Sequence, residues 1–256
     1  MSEIRVTGAE LLFVAAALGG KSFYGIQDPF WAMDSREIIL KQSEAKLSLE
    51  KKGYVSLGFD DSVVFESLLE EIVRHCTFCE QYLMLDTIYS GFQQPSTIYY
   101  FRHNKAAQLT RGADEEYVLS WIEAHLLFDN VLTRIHKNSV PHRSGSAFTL
   151  NTQDMTQLQF QCANGDGTLD FPPDIPTIMR EILESGLRKK GDYSVVTLTD
   201  INQRSIKHLI CIHTQQGSLR LWQDLIDDEN AWKIGYTNRE ELDELLRKLV
   251  GQYAIM

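Results

Sequence analysis

Twice along this chain a helical pattern leads into short period-two segments and then into another helix, and this order constrains the fold more than any other feature. In the first set, residues 97–102, 106–110 and 117–122 alternate and are rich in β-branched and aromatic side chains, as strands half-buried in a sheet must be. His103-Asn-Lys and Gly112-Ala-Asp-Glu between them supply turn chemistry, which predicts an antiparallel meander. A helix over 65–85 precedes it and a return to helix over 122–135 follows. In the second set a helix over 177–190 precedes strands at 193–198, 206–213 and 218–222, and a helix over 239–250 carries Leu242, Leu245, Leu246 and Leu249 on one stripe. Either meander alone would leave an open edge and an uncovered apolar face. The expected fold is therefore α+β, a central antiparallel sheet holding both meanders, flanked by helical subdomains with quasi-twofold order. Residues 1–136 form one half and 177–256 the other. The polar stretch 137–176, broken by Gly145, Gly165, Gly167 and Pro172-Pro173, links them and holds one strand candidate at 158–162.

Ahead of the first meander, Leu11 to Leu18 is an apolar run of eight residues with Glu3 and Glu10 before it. Spanning a bilayer takes about 20 such residues, so it reads as a buried helix closed by Gly19-Gly20, and no membrane insertion is expected. A second helix begins at Asp34 or Ser35, either of which can cap it, and runs to Lys52. Ile38, Ile39, Ala45 and Leu49 are expected on its buried face, and residues 53–57 follow as a short strand.

The sequence offers little chemistry. It contains no phosphate-binding loop, dinucleotide fingerprint, nucleophile elbow or metalloprotease helix. Cys76-x-x-Cys79 has half the spacing of a zinc site, but no second pair follows, and packed thiols are the expectation. Asn164 to Asp170 lacks the alternating carboxylates of a calcium loop. His208 and His213, five apart on a strand, point to opposite faces and cannot share a metal, while His136 and His142 sit in the polar linker. Four cysteines in 256 residues suit a reducing, cytoplasmic compartment. With 35 acidic against 25 basic residues the formal charge is −10, which repels nucleic-acid phosphates. These readings point to a binding protein rather than an enzyme, with no catalytic residue, metal or cofactor and no nucleic-acid partner.

The first third resembles a known family. Residues 7–19 (Thr-Gly-Ala-Glu-Leu-Leu-Phe-Val-Ala-Ala-Ala-Leu-Gly), the Gly-Ile-Gln-Asp-Pro-Phe turn at 25–30 and a helix ending Ser48-Leu-Glu-Lys-Lys-Gly-Tyr-Val together resemble EspG-type chaperones of type VII (ESX) secretion, with Glu10, Leu11, Pro29, Leu49, Gly53 and Tyr54 as the matching positions. The composition is closer to the Firmicute-type relatives. The resemblance implies a quasi-symmetric sheet flanked by helical bundles, and a cytosolic protein that holds a helical WXG-type or LXG-type substrate soluble for export. It places client binding at the sheet and the C-terminal subdomain. There Tyr99, Tyr100, Phe101 and Arg102, and Leu219, Arg220, Leu221 and Trp222, form runs too crowded to bury every ring or apolar side chain on one face of a strand. The alternative is a winged-helix-type transcriptional regulator, in which the helix before Gly53 would read DNA and the next hairpin would be the wing. Against it, that helix mixes Glu37, Glu44 and Glu50 with its cations.

Overall fold

The alternating runs form strands, and the fold is mixed α/β with a large antiparallel sheet. The computed structural model describes residues 3–20, 23–58, 62–89, 91–103, 105–112, 116–135, 143, 145–164, 169–188, 190, 192–223 and 231–250. In chain order the elements are β1 (Ile4–Thr7), α1 (Gly8–Ala17), α2 (Ser35–Lys51), β2 (Val55–Leu57), β3 (Val63–Phe65), α3 (Ser67–Thr77), β4 (Gln81–Tyr89), β5 (Phe92–Gln93), β6 (Thr97–Arg102), β7 (Lys105–Arg111), β8 (Glu116–Ile122) and α4 (Ala124–Ile135). They continue with β9 (Phe148–Asn151), α5 (Thr152–Asn164), α6 (Thr177–Leu187), β10 (Asp192–Asp200), β11 (Ser205–Thr214), β12 (Gly217–Gln223), β13 (Ala231–Tyr236) and α7 (Arg239–Val250). Leaving aside the two-residue β5, the order helix, four strands, helix occurs twice among the described residues, from α3 to α4 and from α6 to α7; the sequence had suggested three strands each time. The described residues divide into two units, one holding 3–82 and 97–124, the other 83–96 and 125–250.

In the first unit both N-terminal helices start with reciprocal caps. Thr7 accepts from the Glu10 amide at 3.2 Å while Glu10 accepts from the Thr7 amide at 2.6 Å, and Asp34 and Glu37 repeat the arrangement. α2 ends at Gly53, whose φ of +76° lets the Tyr54 amide return to the Leu49 carbonyl at 2.9 Å. The buried Leu11 and Val14 of α1, Leu49 of α2 and Leu69, Ile72 and Val73 of α3 form the helical core. β7 pairs with β6 and with β8, and β8 with β1, all antiparallel; β2 and β3 make a separate hairpin. α3 stops at Thr77, eight residues before the helix expected over 65–85. From Gln81 to Tyr89 buried and part-buried residues alternate, so Leu83 and Leu85 serve a strand.

In the second unit the strand order is β4, β10, β11, β12, β13, β9, with β5 beside β4. Met155 and Leu158 of α5 and Met179, Ile182 and Leu183 of α6 form a single core with Ile210, Ile212, Leu219, Leu221 and Ile234 of the strands. Residues 158–162, expected as a strand, are therefore helix. α4 and α7 meet through the Arg247 guanidinium, 4.6 Å from the Phe128 ring centre, and an Arg239–Asp129 ion pair at 3.4 Å. No helix among the described residues is long and apolar enough to cross a membrane.

Candidate functional site

The residues expected to meet a client lie mostly in the core. On β6, Tyr99, Tyr100 and Phe101 are all buried, along with Thr97 and Ile98, so the inference that one ring must stand free is corrected: this strand is covered on both faces. Part of the cover comes from the segment after α1. Phe23 meets Tyr100 edge-on at 5.6 Å, the Tyr100 hydroxyl donates to the Tyr24 carbonyl at 2.6 Å, and Gly25, at φ +78°, comes so close to Ile98 that a Cβ there would overlap its Cδ1. Arg102 is half-buried at the hairpin tip, its guanidinium 5.9 Å from the Phe78 ring centre.

The second set divides by strand alternation. Leu219 and Leu221 face the α5–α6 core and are buried, another correction to the crowding argument. Arg220 and Trp222 lie on the opposite face, with the guanidinium 4.9 Å from the indole centre and paired to Glu241 of α7 at 3.3 Å. Trp222 is half-buried and the Arg220 side chain is 21% exposed, so these two retain some access to solvent.

The titratable groups singled out in the sequence are engaged locally. Cys76 and Cys79 are free thiols in the core, and burial raises both, Cys79 to about 12, which disfavours the thiolate near neutrality. His208 Nδ1 lies 3.1 Å from Thr197 Oγ1, and His213 Nδ1 lies 2.7 Å from Ser218 Oγ. Among the described residues no three His, Cys, Asp or Glu side chains converge as a metal would require. His136 and His142 lie outside the described residues.

Two features of the first unit were not foreseen. Ala45 and Leu49 of α2 are buried as expected, but Ile39 is 61% exposed, and on the far side of the helix Leu40 and Leu47 are 65% and 55% exposed. At 100° per residue these two leucines stand about half a turn from Leu49, so α2 carries a second apolar ridge facing solvent. Trp31, on the turn before α2, is 81% exposed. Beside it a groove of about 470 Å³ is lined by Gly8, Pro29, Tyr117, Trp31, Lys41 and Arg111 among others. A Cβ on Gly8 would lie 3.5 Å from the Tyr117 ring and 3.8 Å from Pro29, so these three close the groove floor. The seven-residue spacing of Leu40 and Leu47 was visible in the sequence; their exposure was not.

The positions that carry the family resemblance have architectural roles. Leu11 and Leu49 are fully buried, Gly53 and Tyr54 close α2, Pro29 borders the groove, and Glu10 pairs with Lys52 at 2.9 Å. No protein-family model matches the chain, and no curated protein matches it.

Proposed function

We propose that this protein is a chaperone that binds a helical client, of the type VII secretion kind that its N-terminal sequence resembles, and keeps it soluble before export. The observation that carries the reading is the outward ridge of α2. A helix that exposes Leu40 and Leu47 at heptad spacing, with Ile39 beside them and Trp31 at its start, is shaped to receive another apolar helix face. Further support comes from the repeated order of helix, four strands and helix, which agrees with a quasi-symmetric fold. Client and chaperone would each cover apolar surface that otherwise drives self-association. The binding needs no cofactor.

Charge favours a different chain over a second copy as occupant. Laying two α2 helices antiparallel with Leu40 against Leu47 would put Glu37 opposite Glu50 and Lys41 opposite Lys46, like against like at both flanks. The winged-helix alternative gains the β2–β3 hairpin that follows α2 as a wing would. The ridge counts against it, since Leu40 and Leu47 stand where a reading helix needs donors for phosphates and base edges.

The test is co-purification with helical WXG-type or LXG-type proteins of the same genome. A Leu40→Glu/Leu47→Glu variant should keep its melting temperature and lose client affinity by about tenfold or more, as for anchor residues at an interface. Capture of no such protein by the unaltered chain, or undiminished capture by the variant, refutes the reading.

A further inference from the structure

The groove beside Trp31 combines a wall and floor of Tyr117, Pro29 and Gly8 with two cations, Lys41 and Arg111. Neither cation has an ion-pair partner among the described residues. Lys52, just beyond the other end of α2, is by contrast held by Glu10 at 2.9 Å. Among the described residues that line the groove the one carboxylate is Asp28, one oxygen of which accepts the Phe30 amide at 2.9 Å within its own turn. Two cations against one carboxylate, among the described residues, beside an aromatic floor make a site complementary to a carboxylate with an apolar neighbour.

We infer that this groove binds an acidic peptide segment, with a Glu or Asp side chain between Lys41 and Arg111 and an adjacent apolar side chain against Tyr117, Pro29 and the Trp31 indole. Lys41 follows Leu40 on α2, so the groove would read the acidic end of the helix whose apolar face lies on the Leu40–Leu47 ridge; in that respect it rests on the function proposed above. It adds polarity and register to a ridge that, being leucine alone, specifies neither.

The groove can be tested without a known client. The probe is a fluorescein-labelled peptide of about ten residues in which Leu alternates with Glu pairs, long enough for nearly three helical turns. Its control has Gln in place of Glu, and binding is read by anisotropy on the full chain. The acidic peptide should bind at least about fivefold tighter than the Gln peptide, lose that margin at ~0.5 M salt, and lose it in Lys41→Glu/Arg111→Glu. A Lys-containing peptide should prefer the doubly reversed variant. Equal binding of the Glu and Gln peptides, or a preference that survives charge reversal in a folded variant, overturns the inference. In Leu40→Gln/Leu47→Gln, which adds no charge beside Lys41, the acid-dependent margin should persist even where helix capture by the ridge is lost, so the groove and the ridge fail separately.

Discussion

His75 shows how a single side chain ties this fold to pH. Its ring is buried between the β6 backbone, where Nε2 lies 3.2 Å from the Tyr100 carbonyl, and Trp121, which it meets edge-on at 4.8 Å. Burial, reinforced by the nearby Arg102, Lys105 and His103 charges, lowers its pKa from 6.5 to about 4, outweighing the hydrogen bond to Tyr100. The imidazole is therefore neutral in the fold and donates from Nε2. Between pH 6.5 and 4 the unfolded chain binds a proton that the folded chain does not, so stability must fall as pH drops through that window. A shift of this size corresponds to about 3 kcal/mol by pH 4. A His75→Gln variant, whose amide can still donate to Tyr100, should start less stable at pH 8 yet lose less on acidification. Urea melts of both proteins at pH 8, 6 and 4.5 check this, and parallel curves would remove His75 as the titrating group.

At the scale of elements, α2 carries two apolar stripes with different duties. Leu49, fully buried against α1, should cost about 2–5 kcal/mol when cut to Ala, whereas Leu47→Ala, two residues away on the outer ridge, should change stability by less than about 0.5 kcal/mol. Chemical denaturation of the two variants separates the stripes, and a Leu47→Ala loss as large as that of Leu49→Ala would show the ridge to be core. The contrast also explains what could be read beforehand. α7 was legible because all its apolar residues share one stripe and one destination. α2 was half legible, since its two stripes look alike until burial is known, and Ile39 was assigned to the wrong one. α5 was misread because Leu158-Gln-Phe-Gln-Cys162 alternates like a strand. What decides it is the Asn151 side chain accepting the Asp154 amide at 2.8 Å to start a helix, and Met155 and Leu158, three apart, entering the core while Phe160 stays exposed. The aromatic run of β6 failed for a non-local reason: its cover includes residues 23–25, some 75 positions earlier, and alternation along one strand carries no information about a segment that crosses it. The groove escaped notice for the same reason, since Lys41 and Arg111 come together only through the fold.

For the whole molecule, net charge and the exposed apolar side chains act against one another. The formal charge of −10 supplies the repulsion that keeps copies apart, while Trp31, Leu40, Leu47, Phe92 and Phe160 present the surface that would bring them together. Near the isoelectric pH of about 5.2 the repulsion vanishes and the apolar contacts remain. Self-association should therefore rise sharply as pH approaches 5, measured by light scattering at a temperature where circular dichroism shows the chain still folded. If the ridge is the main contact, a Leu40→Gln/Leu47→Gln variant, which leaves the net charge untouched, should scatter several-fold less than the unaltered chain at pH 5 and equally little at pH 8. The same variant should also lose client capture at pH 8, because one surface would serve both contacts. Scattering at pH 5 that is unchanged by the substitution would transfer the sticky surface to Phe92 or Phe160 in the second unit and separate self-association from client binding altogether.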